Sequence, residues 1–171
     1  MTAQSTPARI AGGAVAGVIA GAVASFAMDR FQAAASALMP SDGGDDEPAT
    51  EKAADAAATA VTGHEVPDAA KPLAGQSVHY ALGVGLGVAY GIAAEFRPAV
   101  TIGFGAAFGL GTATLLDEAA VPAVGLSDAP WKAPLSTTLY GYMSHLVFGW
   151  TAEIVRRQVA GTLTSSSETG S

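Results

Sequence analysis

STTLYGYMSHLVFGWTAEIVRR, residues Ser136 to Arg157, is the stretch on which the reading of the chain turns. Lys132 precedes it and Glu153 is its first charge, leaving 20 uncharged residues between them. At ~1.5 Å per residue, a helix of that length crosses a hydrocarbon core of ~30 Å. The stretch therefore predicts a membrane-spanning helix over about 134–155. Every fourth residue is Thr137, Gly141, His145, Gly149, Glu153 and Arg157, a narrow stripe of small residues carrying an imidazole, an acid and a base. Residues so spaced share one helix face, and such a face belongs against protein rather than lipid.

Working outward, three more uncharged runs predict spans over about 99–117, 73–96 and 10–29. The third carries Gly105, Gly109 and Asp117 on one stripe, and the second carries His79, Gly83, Gly87, Gly91 and Glu95. The first carries Gly13, Gly17, Gly21 and Ser25, the small-xxx-small pattern by which membrane helices pack closely. A cleavable signal peptide shares the outline of the first run, with Arg9 before it and small residues at Ser25 to Ala27. A signal needs no glycine face along the full membrane thickness, so a span is the better reading. Beyond Arg30 the helix is expected to continue at the interface until Pro40.

Composition agrees. Half of the 171 residues are apolar and only 13% are charged, against ~25% in ordinary soluble proteins. Most of the 21 glycines lie inside the four runs, where a soluble helix would lose ~1 kcal/mol for each relative to alanine. Eight of the 15 acids sit in one connection, residues 41–72, so the net charge of −7 is local, and it argues against nucleic acid as a partner. That acidic connection is expected outside the membrane, with Thr50 capping a short helix that stops at Gly63. His64 beside its carboxylates reads as solvated rather than as a metal site. Residues 1–9 and 158–171 have the composition of a disordered lead and tail. Between spans three and four lies a turn with Pro122, Gly125, Pro130 and Trp131, a residue suited to the water interface. The absence of cysteine excludes disulfides and thiolate chemistry.

The expected fold is an all-α polytopic bundle of four transmembrane helices with an internal repeat. Gly17, Gly21 and Asp29 recur as Gly105, Gly109 and Asp117 at an offset of 88, and Gly83, Gly91 and Glu95 recur as Gly141, Gly149 and Glu153 at an offset of 58. Each half then reads as a hairpin of two glycine-rich helices, the halves parallel to one another. Arg9, Arg97, Arg156 and Arg157 fall at one side in short flanks, and Arg30, Lys52, Lys71 and Lys132 at the other. The short flanks favour cytoplasmic termini.

Ionisable groups within spans cost ~2.5–3.5 kcal/mol on insertion scales, which makes them functional candidates. They fall into an outer group (His79, Asp117, Glu118), a middle group (His145, with Tyr90 nearby) and an inner group (Glu95, Glu153, Arg156, Arg157). Such a column can relay protons, because imidazoles and partly buried carboxylates titrate near neutrality. It can equally be a set of inter-helical hydrogen bonds worth ~0.6 kcal/mol each. Glu153 lies four residues before Arg157, so an i,i+4 pair can form within the helix; the alternative is a partner on the second helix, through Arg97 or a proton shared with Glu95. No serine-hydrolase elbow, zinc-ligand motif or nucleotide loop is present, and no enzyme, metal or cofactor is expected.

A resemblance runs through HYALGVGLGVAYGIAAEF, PAVGL (Pro122 to Leu126) and HLVFGWTAEIVRR. These segments resemble the YagU-like family of bacterial inner-membrane proteins over about residues 73–157, at His79, Glu95, Pro122, Gly125, His145, Trp150, Glu153, Arg156 and Arg157. The resemblance implies a multi-pass inner-membrane protein of unassigned molecular function. Residues 41–72 lie outside the recognised pattern. Two functions are therefore expected in competition: small-solute or proton handling through the His and carboxylate column, and a structural subunit whose glycine faces dock other helices, either a second copy or another membrane protein. The lipid bilayer is a partner in both.

Overall fold

The computed structural model describes residues 5–38 and 47–169, with side chains as far as Leu163. It is all-helical, with no strand among the described residues. The long helices are α1 (Thr6–Leu38), α3 (Lys71–Phe96) and α5 (Leu135–Thr169). Between them lie α2 (Ala49–Thr62) and α4 (Ala106–Thr112), the latter continuing as a π-helical stretch, Ala113–Ala120, and a last turn, Val121–Ala123. Two segments, Thr6–Leu38 and Asp68–Phe96, are long and apolar enough to cross a membrane.

The central element is α1, which packs against both α3 and α5. Its small residues form two adjacent stripes. Gly13, Gly17, Gly21 and Ser25 face α3, while Ala20, Ala24 and Met28 join Phe148 and Ala152 of α5 and Tyr90 of α3 in the apolar core. The glycines meet glycines across the antiparallel pair: Gly13 lies on Gly91, Gly17 on Gly87 and Gly21 on Gly83. A Cβ on Gly17 would sit 2.7 Å from Val88 Cα, and one on Gly87 would sit 2.7 Å from Gly21 Cα. Backbone therefore touches backbone, and no side chain fits between. The second pair repeats the device, with Gly105 of the loop before α4 against Gly149, and Gly109 of α4 against Gly149 and the His145 carbonyl. Offsets of 88 and 58 turn the Gly17–Gly91 approach into the Gly105–Gly149 approach, so the sequence repeat has a counterpart in packing. Gly141 is the exception, since a Cβ there would meet only the Asp117 carboxylate, at 3.7 Å.

Several boundaries differ from expectation. The third run is not one helix over 99–117: Pro98–Thr101 forms a 3₁₀ turn, and Gly103, Phe104 and Gly105 all take positive φ (66, 59 and 89°) before α4 begins at Ala106. Glycine enters that region without strain, and the flanking pair carries Phe104 into it. The lead expected to be disordered is helical from Thr6, with Pro7 in the first turn where its missing N–H is not needed. The tail expected to be disordered continues α5 to Thr169, because no proline or left-handed glycine stops the helix after Arg157. The continuation of the first run beyond Arg30 is as expected, since α1 runs unbroken through Asp29 and Arg30 to Leu38; Pro40 lies outside the described residues.

The acidic connection is packed rather than simply solvated. Helix α2 is preceded by Pro48 instead of capped by Thr50, whose Oγ1 sits over Gly75 of α3. Gly63, at φ 78°, closes it as expected. The Lys71 ammonium reaches Asp55 at 2.7 Å and Glu47 at 2.8 Å, fastening α2 to the start of α3. That hydrogen bond, helped by the Val66 N–H, holds the Asp55 carboxyl below the ordinary carboxylate range. Asp42, Asp45 and Asp46 lie outside the described residues.

The packing predicts a sharp contrast among glycines. Gly17→Ala and Gly87→Ala should each destabilise the fold by ~1–3 kcal/mol, the usual cost of overpacking. Gly12→Ala and Gly85→Ala, where a Cβ meets nothing within 4 Å, should be neutral or stabilising by up to ~1 kcal/mol. Thermal unfolding in mild detergent checks this, and equal effects at all four positions would contradict the packing.

Candidate functional site

The candidate polar residues separate into two places instead of one column. At the arginine end, Glu153 of α5 is completely buried. It accepts hydrogen bonds from Arg156 Nε at 2.8 Å and Nη2 at 3.0 Å, from Arg157 Nε at 2.5 Å, and from the Tyr90 hydroxyl of α3 at 2.7 Å. Spacings of three and four residues on one helix place both guanidiniums over the carboxylate. Arg157 also lies on the Phe104 ring, 4.6 Å from its centroid, so the left-handed turn before α4 supplies the shelf for this cation. The expected partners on the second helix are not the ones found. Tyr90 takes that role, whereas Glu95 faces Arg9 at 3.7 Å, and Arg9 stacks on Phe96.

Tyr90 in turn stacks on Phe108 with ring centroids 4.3 Å apart, and Phe108 lies 6.1 Å from Phe148. This aromatic layer divides the arginine end from the other polar group. Tyr90, expected beside His145, belongs to the Glu153 side of the layer.

Beyond the layer is a cavity of about 530 Å³, walled by α1, α3, α4 with its π-helical extension, and α5, with Pro48, Ala49, Thr50 and Ala53 of α2 at its rim. Two imidazole–carboxylate pairs line it. His79 Nε2 of α3 lies 3.2 Å from Asp29 Oδ1 of α1, and Gln76 donates to Asp29 Oδ2 at 2.7 Å. His145 Nδ1 of α5 lies 3.3 Å from Asp117 Oδ2 and 3.0 Å from the Gly141 carbonyl. Donation to that carbonyl would place the Nδ1 proton there and leave Nε2 as the basic nitrogen. His79 Nε2 is buried but makes no aligned hydrogen bond among the described residues.

Asp117 reaches His145 from the π-helical stretch. Thr114 Oγ1 donates to the Leu110 carbonyl at 2.9 Å and lies 3.0 Å from the Tyr142 hydroxyl, while Pro122 has no N–H with which to continue an α-helical ladder. Wide turns of this kind recur at functional sites. Glu118, its sequence neighbour, neither lines the cavity nor pairs with a cation among the described residues. The group expected as outer is thus split: His79 joins Asp29, Asp117 joins His145, and Glu118 joins neither. Asp29 was not among the candidates, although the repeat marks it as the counterpart of Asp117. No group of three or more metal-ligating side chains occurs among the described residues.

A family described as proteins of unknown function, DUF1440, matches residues 46–154. The chain belongs to this family. The DUF1440 match takes in α2, so the acidic connection from residue 46 is part of the family pattern, contrary to the narrower resemblance over 73–157. It leaves out α1, which nonetheless supplies Asp29 and the glycine face for α3 in this DUF1440 member. No curated protein and no solved structure matches the chain.

Glu153 behaves here as a structural lock. Glu153→Gln leaves two guanidiniums without their counter-charge and should cost ~3–5 kcal/mol, as for other broken buried pairs. Tyr90→Phe should cost ~1.5–3 kcal/mol, the value of a hydrogen bond to a charged group. Glu95→Gln should change stability by less than ~1 kcal/mol, as for surface pairs. Detergent unfolding of the three variants gives the order, and a Glu95→Gln effect as large as that of Glu153→Gln would restore the shared-proton reading.

Proposed function

We propose that this DUF1440 protein is a multi-pass protein of a bacterial inner membrane that handles protons or a small solute at the cavity bearing its two His–Asp pairs. One observation carries the reading: Asp29–His79 and Asp117–His145, drawn from both halves of the repeat, converge on one cavity. An imidazole in contact with a carboxylate can accept a proton at one nitrogen and donate one at the other, the property a membrane relay needs. The resemblance to YagU-like proteins and the exposed Val15, Val18, Ile19 and Phe26 of α1, an apolar outer face suited to lipid, support the location.

In this reading all four helical segments cross the bilayer, the broken third one buried in part against α5. Unwound backbone is tolerated at membrane depth where protein covers it. Arg9, Arg97, Arg156 and Arg157 mark the cytoplasmic end, with both termini, and α2 lies on the opposite face. The chain acts without enzymatic chemistry. A scaffold that docks partner helices through glycine is the less favoured reading, because the stripes of α1 and α4 are already occupied by α3 and α5.

Proteoliposomes containing a pH-sensitive dye test the proposal. A protein-dependent proton flux is expected, falling at least tenfold in His79→Gln/His145→Gln. Absent flux, or flux unchanged in that double variant, would overturn the proton-handling reading.

A further inference from the structure

We infer that the cavity binds an organic ammonium ion, a cation joined to an apolar body. The inference rests on the cavity as the working site and adds the class of ligand it accepts. Among the described residues its lining contains two carboxylates, Asp29 and Asp117, and neither lysine nor arginine. Arg30, next in sequence to Asp29, lies over the Phe26 ring at 5.3 Å and is not part of the lining. The contrast with the other end of the bundle is chemical. Glu153 is paired with two guanidiniums, whereas the cavity carboxylates have no lysine or arginine partner among the described residues: Asp117 faces an imidazole, and Asp29 an imidazole and the Gln76 amide.

A neutral imidazole orients a carboxylate without cancelling its charge. With the carboxylates ionised and the histidines neutral the cavity carries uncompensated negative charge, and partial enclosure by Leu82, Leu86 and Phe148 strengthens the resulting field. An anion is repelled there, and a neutral molecule gains only from the walls. A bare divalent metal ion is poorly served, since no three ligating side chains come together among the described residues. An ammonium group sets its charge against Asp29 or Asp117, while its hydrocarbon part lies on the apolar wall and the Phe148 ring is available to the cation. About 530 Å³ falls within the ~300–1,000 Å³ of small-molecule sites. His79 Nε2, buried and without an aligned hydrogen bond, is a further polar atom at the same wall.

Calorimetric titration of the full chain in detergent with three near-isosteres tests this: benzylammonium, benzyl alcohol and benzoate at pH 7.5. Benzylammonium should bind saturably and at least tenfold more tightly than benzyl alcohol, with no binding of benzoate. In Asp29→Asn/Asp117→Asn the preference for the cation should shrink to within about twofold. Equal binding of ammonium and alcohol, binding of benzoate, or no saturable binding of the ammonium would overturn the inference, and those comparisons are made on the unaltered chain whether or not the double variant folds. No cation binding with proton flux intact removes this inference alone. Cation binding without flux removes the proton-handling reading alone.

Discussion

Backbone contact between α1 and α3 is the constraint on which the rest of the molecule depends. Three glycines of one helix meet three of the other, at separations that leave no room for a single methyl group. In the membrane setting proposed above, lipid supplies no hydrophobic drive to bring two helices together, and dispersion along a close, flat contact takes its place. Because α1 gives its glycine stripe to α3, its neighbouring alanine stripe is left for α5, and the three helices enclose Tyr90, Met28 and Phe148. The same arrangement also brings Asp29 near the end of one helix to His79 near the start of the other.

The two polar regions have opposite electrostatic design. Around Glu153 every acceptor position that matters is filled by arginine or tyrosine, and the group is sealed from solvent. Such a cluster fixes the relation between α3 and α5 and has little freedom to rearrange or to bind. Across the aromatic layer, Asp29 and Asp117 have imidazole partners and a cavity in front of them. Charge is cancelled where the helices are locked together and left uncancelled where a ligand or proton can enter.

Much of this was legible because it depends on period-four spacing. The stripes Gly13–Gly17–Gly21 and Gly83–Gly87–Gly91, the stripe His145–Gly149–Glu153, and the recurrence of Asp29 as Asp117 all follow from residues one helical turn apart. Partners across helices were harder to read, since pairing depends on register and crossing angle: Tyr90 with Glu153 and Asp29 with His79 are separated by 63 and 50 positions, and no local signal links them. The interruption at Gly103–Phe104–Gly105 was hidden for another reason. Glycine in a membrane helix serves close packing as readily as it serves a left-handed turn, and Gly105 does both. The packing of helix α2 is not legible in its own acidic composition, because the lysine that holds it, Lys71, lies beyond it in the next helix.

The most direct test of the account is disulfide trapping across the α1–α3 contact in native membranes. The chain contains no cysteine, so introduced pairs have no background. A Cβ at Gly83 would lie 3.3 Å from Ser25 Cβ, close to the separation of ~3.5–4.5 Å found in disulfides. Ser25→Cys combined with Gly83→Cys, where the new Cβ meets the Ser25 side chain rather than backbone, should cross-link readily under mild oxidation, and Ser25→Cys combined with Gly85→Cys, where a Cβ meets nothing within 4 Å, should not. Cross-linking of both pairs to the same extent, or of the second alone, would contradict the antiparallel glycine register that brings Asp29 to His79 at the cavity.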